Sequence, residues 1–204
     1  PILERKFNDS GVEWIGEIPE GWEVCRLKNV ISKRNEKATN TELKYIGLEH
    51  IVSFSKEMVA TENVYDSDGA NMCYANDVIF GKLRPYLGKA KVIDDTCCCS
   101  SEFLVLFNAQ CPNYLRYLML SGGFIEIVNA STYGTKMPRA NADFIMNMQI
   151  PNTPPSEQQA IADYLDEKCS EIDELIAIKQ QKIEQLKEYK KSVIFEYVTG
   201  KRTL

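Results

Sequence analysis

The sequence lacks most of what independent catalysis would need. It holds a single histidine, His50, and no C-x-x-C pair, so a zinc site assembled from His50, Cys73 and Cys97-Cys98-Cys99 would be missing its usual ligand spacing. No G-x-G-x-x-G turn is present for a nucleotide-derived methyl donor, and no G-x-x-x-x-G-K-[ST] loop for ATP. Asn152-Thr153-Pro154-Pro155 matches the Asn-Pro-Pro-aromatic loop of adenine methyltransferases only superficially, because the aromatic is absent. Glu42-Leu43-Lys44 has the E-x-K form of metal-dependent nucleases, but no Pro-Asp precedes it. No apolar run approaches the ~18 residues of a membrane span, and no cationic-then-apolar leader opens the chain, so a cytoplasmic protein is expected. An excess of basic charge is missing too. Lys and Arg number 24 against 29 Asp and Glu, a net charge of −5, so any attraction to nucleic acid must be local.

What is present suits a folded chain in a reducing compartment. The 204 residues are 44% hydrophobic and 26% charged, enough for one domain with a core plus an appendage. The seven cysteines are odd in number and three are adjacent, which fits buried free thiols better than disulfides.

Punctuation changes at Pro155, beyond which there is no proline and one glycine, Gly200. Residues 1–155 therefore read as a domain and 156–204 as a long helix. Pro151, Pro154 and Pro155 form an extended linker, Ser156 with Gln159 reads as a capping box, and Gly200 followed by Lys201 and Arg202 as a stop. Within the helix, alternating steps of four and three pick out Leu165, Cys169, Ile172, Ile176, Lys179, Ile183, Leu186, Lys190, Val193 and Tyr197. Eight of these ten are apolar, so the period is 3.5 and the stripe is a coiled-coil seam needing a partner helix. Lys179 and Lys190 are polar insertions of the kind that fix register.

The first part is expected to be α+β. Strands are predicted at 22–27, 44–51, 77–83, 89–93, 102–107 and 144–150, and short helices at 113–120 and 124–129, without βαβ alternation. Two acid-free stretches stand out within it. The first, from Phe80 to Lys91, carries Lys82, Arg84, Tyr86, Lys89 and Lys91 among Gly81, Pro85 and Gly88. The second, from Asn129 to Ala142, carries Tyr133, Thr135, Lys136 and Arg139. Cations and an aromatic on a glycine-containing turn can meet phosphates, and hydroxyls with Arg and Lys can meet base edges. The strap from Asp9 to Trp22 holds both tryptophans, but its acids Asp9, Glu13, Glu17 and Glu20 would repel phosphate, so packing onto the domain is expected.

Taken in order, GVEWIGEIPEGWEV, KYIGLEHI, NDVIFGKLRPYLGKAK, GTKMPRA, IPNTPPSEQQAIADYLDEKCSEIDELI and YVTGK resemble the specificity subunit of type I restriction-modification systems. Members of that family are usually twice as long, with two target recognition domains, each followed by a helix, and the two helices antiparallel. The resemblance covers one domain and one helix, so it implies a half-subunit or a fragment whose strap begins the second half. It implies a non-catalytic protein that binds double-stranded DNA and directs modification subunits to a bipartite site. Restriction subunits would join through the modification subunits. S-adenosylmethionine, ATP and Mg would reside on those partners, with no cofactor in this chain. Lys82, Arg84 and Tyr86 are then expected to position the DNA backbone, and Lys89 and Lys91 of the same stretch are expected to bind DNA with them. Tyr133, Thr135, Lys136 and Arg139 are expected to read bases. The helix would pair with a second copy or a second half-subunit. The rival expectation, from the net acidity, is a coiled-coil scaffold that binds protein and never DNA.

Overall fold

A computed structural model describes residues 6–39, 43–59, 69–134 and 136–203. The chain divides into two compact units, 1–160 and 161–204. In chain order the strands are β1 (Phe7–Asp9), β2 (Glu17–Pro19), β3 (Glu23–Arg26), β4 (Ser32–Arg34), β5 (Tyr45–Ile46), β6 (Asn71–Cys73), β7 (Val78–Gly81), β8 (Ala90–Val92), β9 (Cys97–Cys99), β10 (Phe103–Phe107) and β11 (Gln149–Asn152). The helices are α1 (Leu27–Val30), α2 (Pro112–Leu120), α3 (Gly122–Ala130), α4 (Ala142–Asn147) and α5 (Pro155–Val198). This is the expected α+β fold, built of several small sheets and a long C-terminal helix.

The centre is the antiparallel sheet β4-β10-β7-β8. Phe103-Leu104-Val105-Leu106 on β10 and Val78-Ile79-Phe80 on β7 are unbroken apolar runs because both faces of this sheet are covered. Alternation then sends Val78, Phe80, Leu104 and Leu106 to one side, against Leu115 and Met119 of α2, Phe124 and Val128 of α3, and Ile145 of α4. Ile79, Phe103 and Val105 face the other side, against Ile46, Cys73, Cys97 and Cys99 of the sheet β5-β9-β6. The seven cysteines are free, and Cys73 Sγ lies 3.3 Å from Cys99 Sγ in this dry layer. Burial pushes the Cys98 thiol up from its ordinary range, and Cys97 is raised by its hydrogen bond with Cys73 and by burial; at Cys73 the bond with Cys97 lowers the pKa, but the bond with Cys99 and burial outweigh it.

One charge pair, with its acid buried and its arginine half-buried, locks β4 to the residue before β7. Arg34 donates through Nε and Nη2 to the two oxygens of Asp77, at 2.9 and 3.0 Å. Its guanidinium also lies 4.6 Å from the Tyr74 ring centre and 4.5 Å from that of Phe107.

The structure departs from the sequence reading in several places. The strand expected at 144–150 is α4, which Asn141 caps by accepting from the Asp143 and Phe144 N–H groups, followed by β11. A short polar cap outweighs the β-prone composition of Phe144-Ile145-Met146. Only Tyr45–Ile46 of 44–51 is strand, and a 3-10 turn at Leu48–His50 follows, with His50 Nδ1 accepting from the Gly47 N–H at 2.9 Å. Pro151 lies within β11, paired with Val24 of β3, and not in a linker. Ser156 does not cap α5: Pro155 holds the first helical position, where a missing N–H costs nothing, and Gln158 Nε2 donates to Thr153 O. The strap forms the β1–β2 hairpin and packs as expected, Trp14 lying against Gly123 and edge-on to Phe124, and Trp22 Nε1 donating to Glu157.

Helix α5 spans about 66 Å at ~1.5 Å per residue. Gly200 follows in the left-handed region, at φ +71°, and ends the helix as its position predicts. The i,i+3 ion pairs Lys168–Glu171, Lys187–Glu184 and Lys191–Glu188 are exposed and contribute little. No helix among the described residues is long and apolar enough to cross a membrane.

Candidate nucleic-acid interface

The two acid-free stretches, far apart in sequence, are stitched together by the main chain. Tyr133 and Arg139 exchange hydrogen bonds at 3.3 and 3.1 Å, closing the second stretch into a loop. That loop then pairs with the first: the Arg84 N–H donates to Pro138 O at 2.8 Å, and the Ala140 N–H to Lys82 O at 2.9 Å. On its other side the Lys82 N–H donates to Glu102 O at 2.9 Å, which anchors the assembly to the edge of β10. Exposed Arg84, Tyr86, Tyr133, Lys136 and Arg139 therefore stand on one framework.

Local geometry explains how the first stretch presents its cations. After β7 the chain makes a 3-10 turn at Pro85–Leu87 between two left-handed residues, Arg84 at φ 50° and Gly88 at φ 56°. Glycine takes that conformation freely, whereas an arginine there is held against about 1 kcal/mol of strain, which the flanking Pro85 and the bond to Pro138 sustain. Gly88 is also the seat of Phe54, whose ring would occupy the place of any added Cβ and whose N–H donates to Gly88 O at 2.8 Å.

The cations are not equivalent. Lys82 is half-buried, and desolvation lowers its pKa from the usual lysine range, an effect that nearby Glu102 opposes. Lys89 turns inward and donates to Leu48 O at 2.6 Å. Lys91 pairs with Asp94 at 3.3 Å. Arg84 and Lys136 are exposed. Arg139 forms an ion pair through Nη2 with Glu102 Oε1. Thr135 lies outside the described residues, as does Glu42 of the E-x-K tripeptide. Glu102 and the exposed aromatic Phe54 escape the sequence reading because each reaches the loops only through the fold. No local pattern around either could have flagged it.

Along α5, Ile172, Ile176, Ile183, Leu186 and Tyr197 of the seam are exposed, while Leu165, Cys169 and Val193 are half-buried. Leu175, Ile178 and Tyr189 add exposed apolar surface beside it. Among the described residues, no three His, Cys, Asp or Glu side chains are grouped so as to hold a metal ion. A cavity of about 300 Å³ near Asn29, Asn108, Tyr114 and Asn152 shares no residue with the cationic loops.

Comparison with known proteins puts this surface in context. The chain is 28% identical over 207 residues to the type I restriction enzyme MjaVIII specificity subunit of Methanocaldococcus jannaschii, covering 92% of this chain and 48% of that protein. Its fold matches the HsdS subunit of Thermoanaerobacter tengcongensis with a TM-score of 0.62 at 25% identity, over 83% of this chain and 48% of the other. It also matches a chain from a structural study of assembly and conformational transition in the type I R-M system, with a TM-score of 0.68 at 24% identity, over 87% and 50% of the two chains. The chain thus spans about half the length of the relatives it matches. Residues 19–188 match the model of the type I restriction modification DNA specificity domain, and the chain belongs to that family.

Proposed function

We propose that this chain is a DNA-reading half-subunit of a type I restriction-modification assembly, with the joined loops at 82–91 and 133–139 as its DNA face. The observation that carries the reading is the main-chain pairing of Lys82–Arg84 with Pro138–Ala140, which brings exposed cations and aromatics of two distant stretches together in an otherwise acidic protein. Arg84 and Lys82 contact phosphates and fix position, with Tyr86 beside them. Lys89 and Lys91, engaged with Leu48 and Asp94, add positive potential from behind. Tyr133, Thr135, Lys136 and Arg139 read base edges, an arginine fork matching guanine O6 and N7.

Catalysis then belongs to partners: modification subunits with S-adenosylmethionine, and restriction subunits with ATP and Mg. Helix α5 is the spacer and assembly element. A two-stranded antiparallel pairing through Leu165, Cys169, Ile172, Ile176, Ile183, Leu186, Val193 and Tyr197, with a second copy or a separate half-subunit, carries the two helix N-termini to opposite ends. Two identical chains then read two inverted half-sites at a spacing that the helices set.

A mobility-shift titration of the full chain with duplex DNA, with and without a modification subunit, tests this. Retardation that strengthens with the subunit is expected. No retardation under either condition, with the subunit still bound, would leave a protein scaffold instead.

A further inference from the structure

Among the described residues, Arg139 differs from the other exposed cations of the face in having an acidic partner. Its Nη2 is held by Glu102 Oε1, with the two side chains 44% and 23% exposed. Glu102 is the better anchored of the two. Its N–H donates to Ser100 Oγ at 3.2 Å and its carbonyl accepts from the Lys82 N–H, at the entry to a strand buried in the central sheet. The arginine stands on a loop, so the acid orients the guanidinium and not the reverse. Glu102 Oε2 is buried and has no hydrogen-bond partner among the described residues, so the carboxylate gives up water for the sake of this one contact.

Such a pair is poorly suited to holding phosphate. Its net charge is zero, and a carboxylate beside the backbone of DNA is repulsive. It is well suited to reading a base. A guanidinium has five N–H donors in a planar fork, and clamping one edge leaves another presented in a single orientation. We infer that Glu102 is a positioning residue for base readout, aiming the free edge of Arg139 at a guanine while discouraging phosphate contact at that point. The inference rests on the DNA-reading function proposed above and adds a residue that neither the cationic stretches nor the family resemblance singled out.

The test uses the full chain, a duplex that it enriches from a random pool, and variants of that duplex at each position. Glu102→Gln is expected to bind random duplex more tightly than the parent, because one negative charge is gone. At the same time its preference at a single base pair falls by roughly 5–150-fold, the range of a bidentate arginine–guanine contact. Glu102→Asp, which keeps the charge but withdraws it by one methylene, is expected to lose the same preference without the gain in affinity. Arg139→Lys should relax that same base pair. A Glu102→Gln protein that keeps the parental preference, or weakens on all duplexes alike with a lowered melting temperature, overturns the role. A parent that enriches no duplex overturns the function beneath it instead.

Discussion

Replacing Ile176 and Ile183 by Glu tests what α5 is for. These side chains are 59% and 46% exposed, and their seam neighbours Ile172 and Leu186 are each 55% exposed. Full burial of a large aliphatic side chain stabilises by ~1.5–3 kcal/mol, so covering the remaining half contributes about 1 kcal/mol each. The eight apolar seam positions, taken from two copies, then give about 16 kcal/mol. Lost translational freedom and the desolvation of Lys179 and Lys190 offset half of that, an association cost of about 8 kcal/mol within the 4–15 range. The remaining ~8 kcal/mol corresponds to micromolar self-association. Two Glu in each copy remove about 4 kcal/mol of burial and place four carboxylates in the seam, raising the dissociation constant by roughly a thousandfold. Sedimentation velocity from about 0.05 to 100 µM, bracketing that constant, is the assay, with far-UV circular dichroism to follow the helix. The parent should pass from monomer to dimer over that range and the variant should stay monomeric. A parent monomeric at 100 µM would refute self-pairing and leave a separate half-subunit as the partner for α5. A variant that dimerises like the parent would remove the 3.5-period seam from the interface.

Other consequences are equally specific. Changing Lys82 and Arg84 together to Ala should weaken binding to all duplexes about equally and reduce the salt slope by about 0.9 for each phosphate that is no longer neutralised; an unchanged slope in a salt titration would exclude this turn from the interface. Asp77→Ala leaves the Arg34 guanidinium stacked between Tyr74 and Phe107 with only the more exposed Glu36, at 3.8 Å, as its acid, and frees the Tyr74 N–H that Asp77 accepts at 2.9 Å. Breaking such a partly buried pair costs about 1–3 kcal/mol, visible as an earlier urea midpoint, and an unchanged midpoint would show the pair to be dispensable. In native protein at pH 8, diluted well below micromolar so that α5 is unpaired, iodoacetamide should label Cys169 and, more slowly, Cys25, whose thiol is pushed up by burial and by the charge of Glu23. Cys73, Cys97, Cys98 and Cys99 should react only after denaturation, and mass spectrometry showing early adducts there would contradict the dry layer between the two sheets.

The sequence discloses those features whose cause is local. β7, β8 and β10 are legible because their β-branched and aromatic runs are bounded by turn residues, and α5 because proline vanishes and the 3.5 period appears. α4 is easily misread because Phe144-Ile145-Met146 has a strand's composition, and only the Asn141 cap reveals the helix. The triplet Cys97-Cys98-Cys99 is unreadable as β9 because cysteine has no clear strand preference; its pairing to β5 and β6 comes from burial between sheets. At the candidate site the cations are visible as acid-free stretches, but their roles are not. That Lys89 turns to Leu48 and Arg139 to Glu102, 41 and 37 residues away, depends on contacts no local pattern encodes.

Selection of duplexes from a random pool by the full chain with its modification subunit, read by sequencing, tests the account most directly. It predicts an enriched site of two inverted, identical half-sites at one fixed spacing, whose selectivity relaxes at a single base pair of each half when Arg139 is changed to Lys. Enrichment of no sequence, or of one asymmetric site unaffected by substitutions at Lys82, Arg84, Lys136 or Arg139, would contradict it.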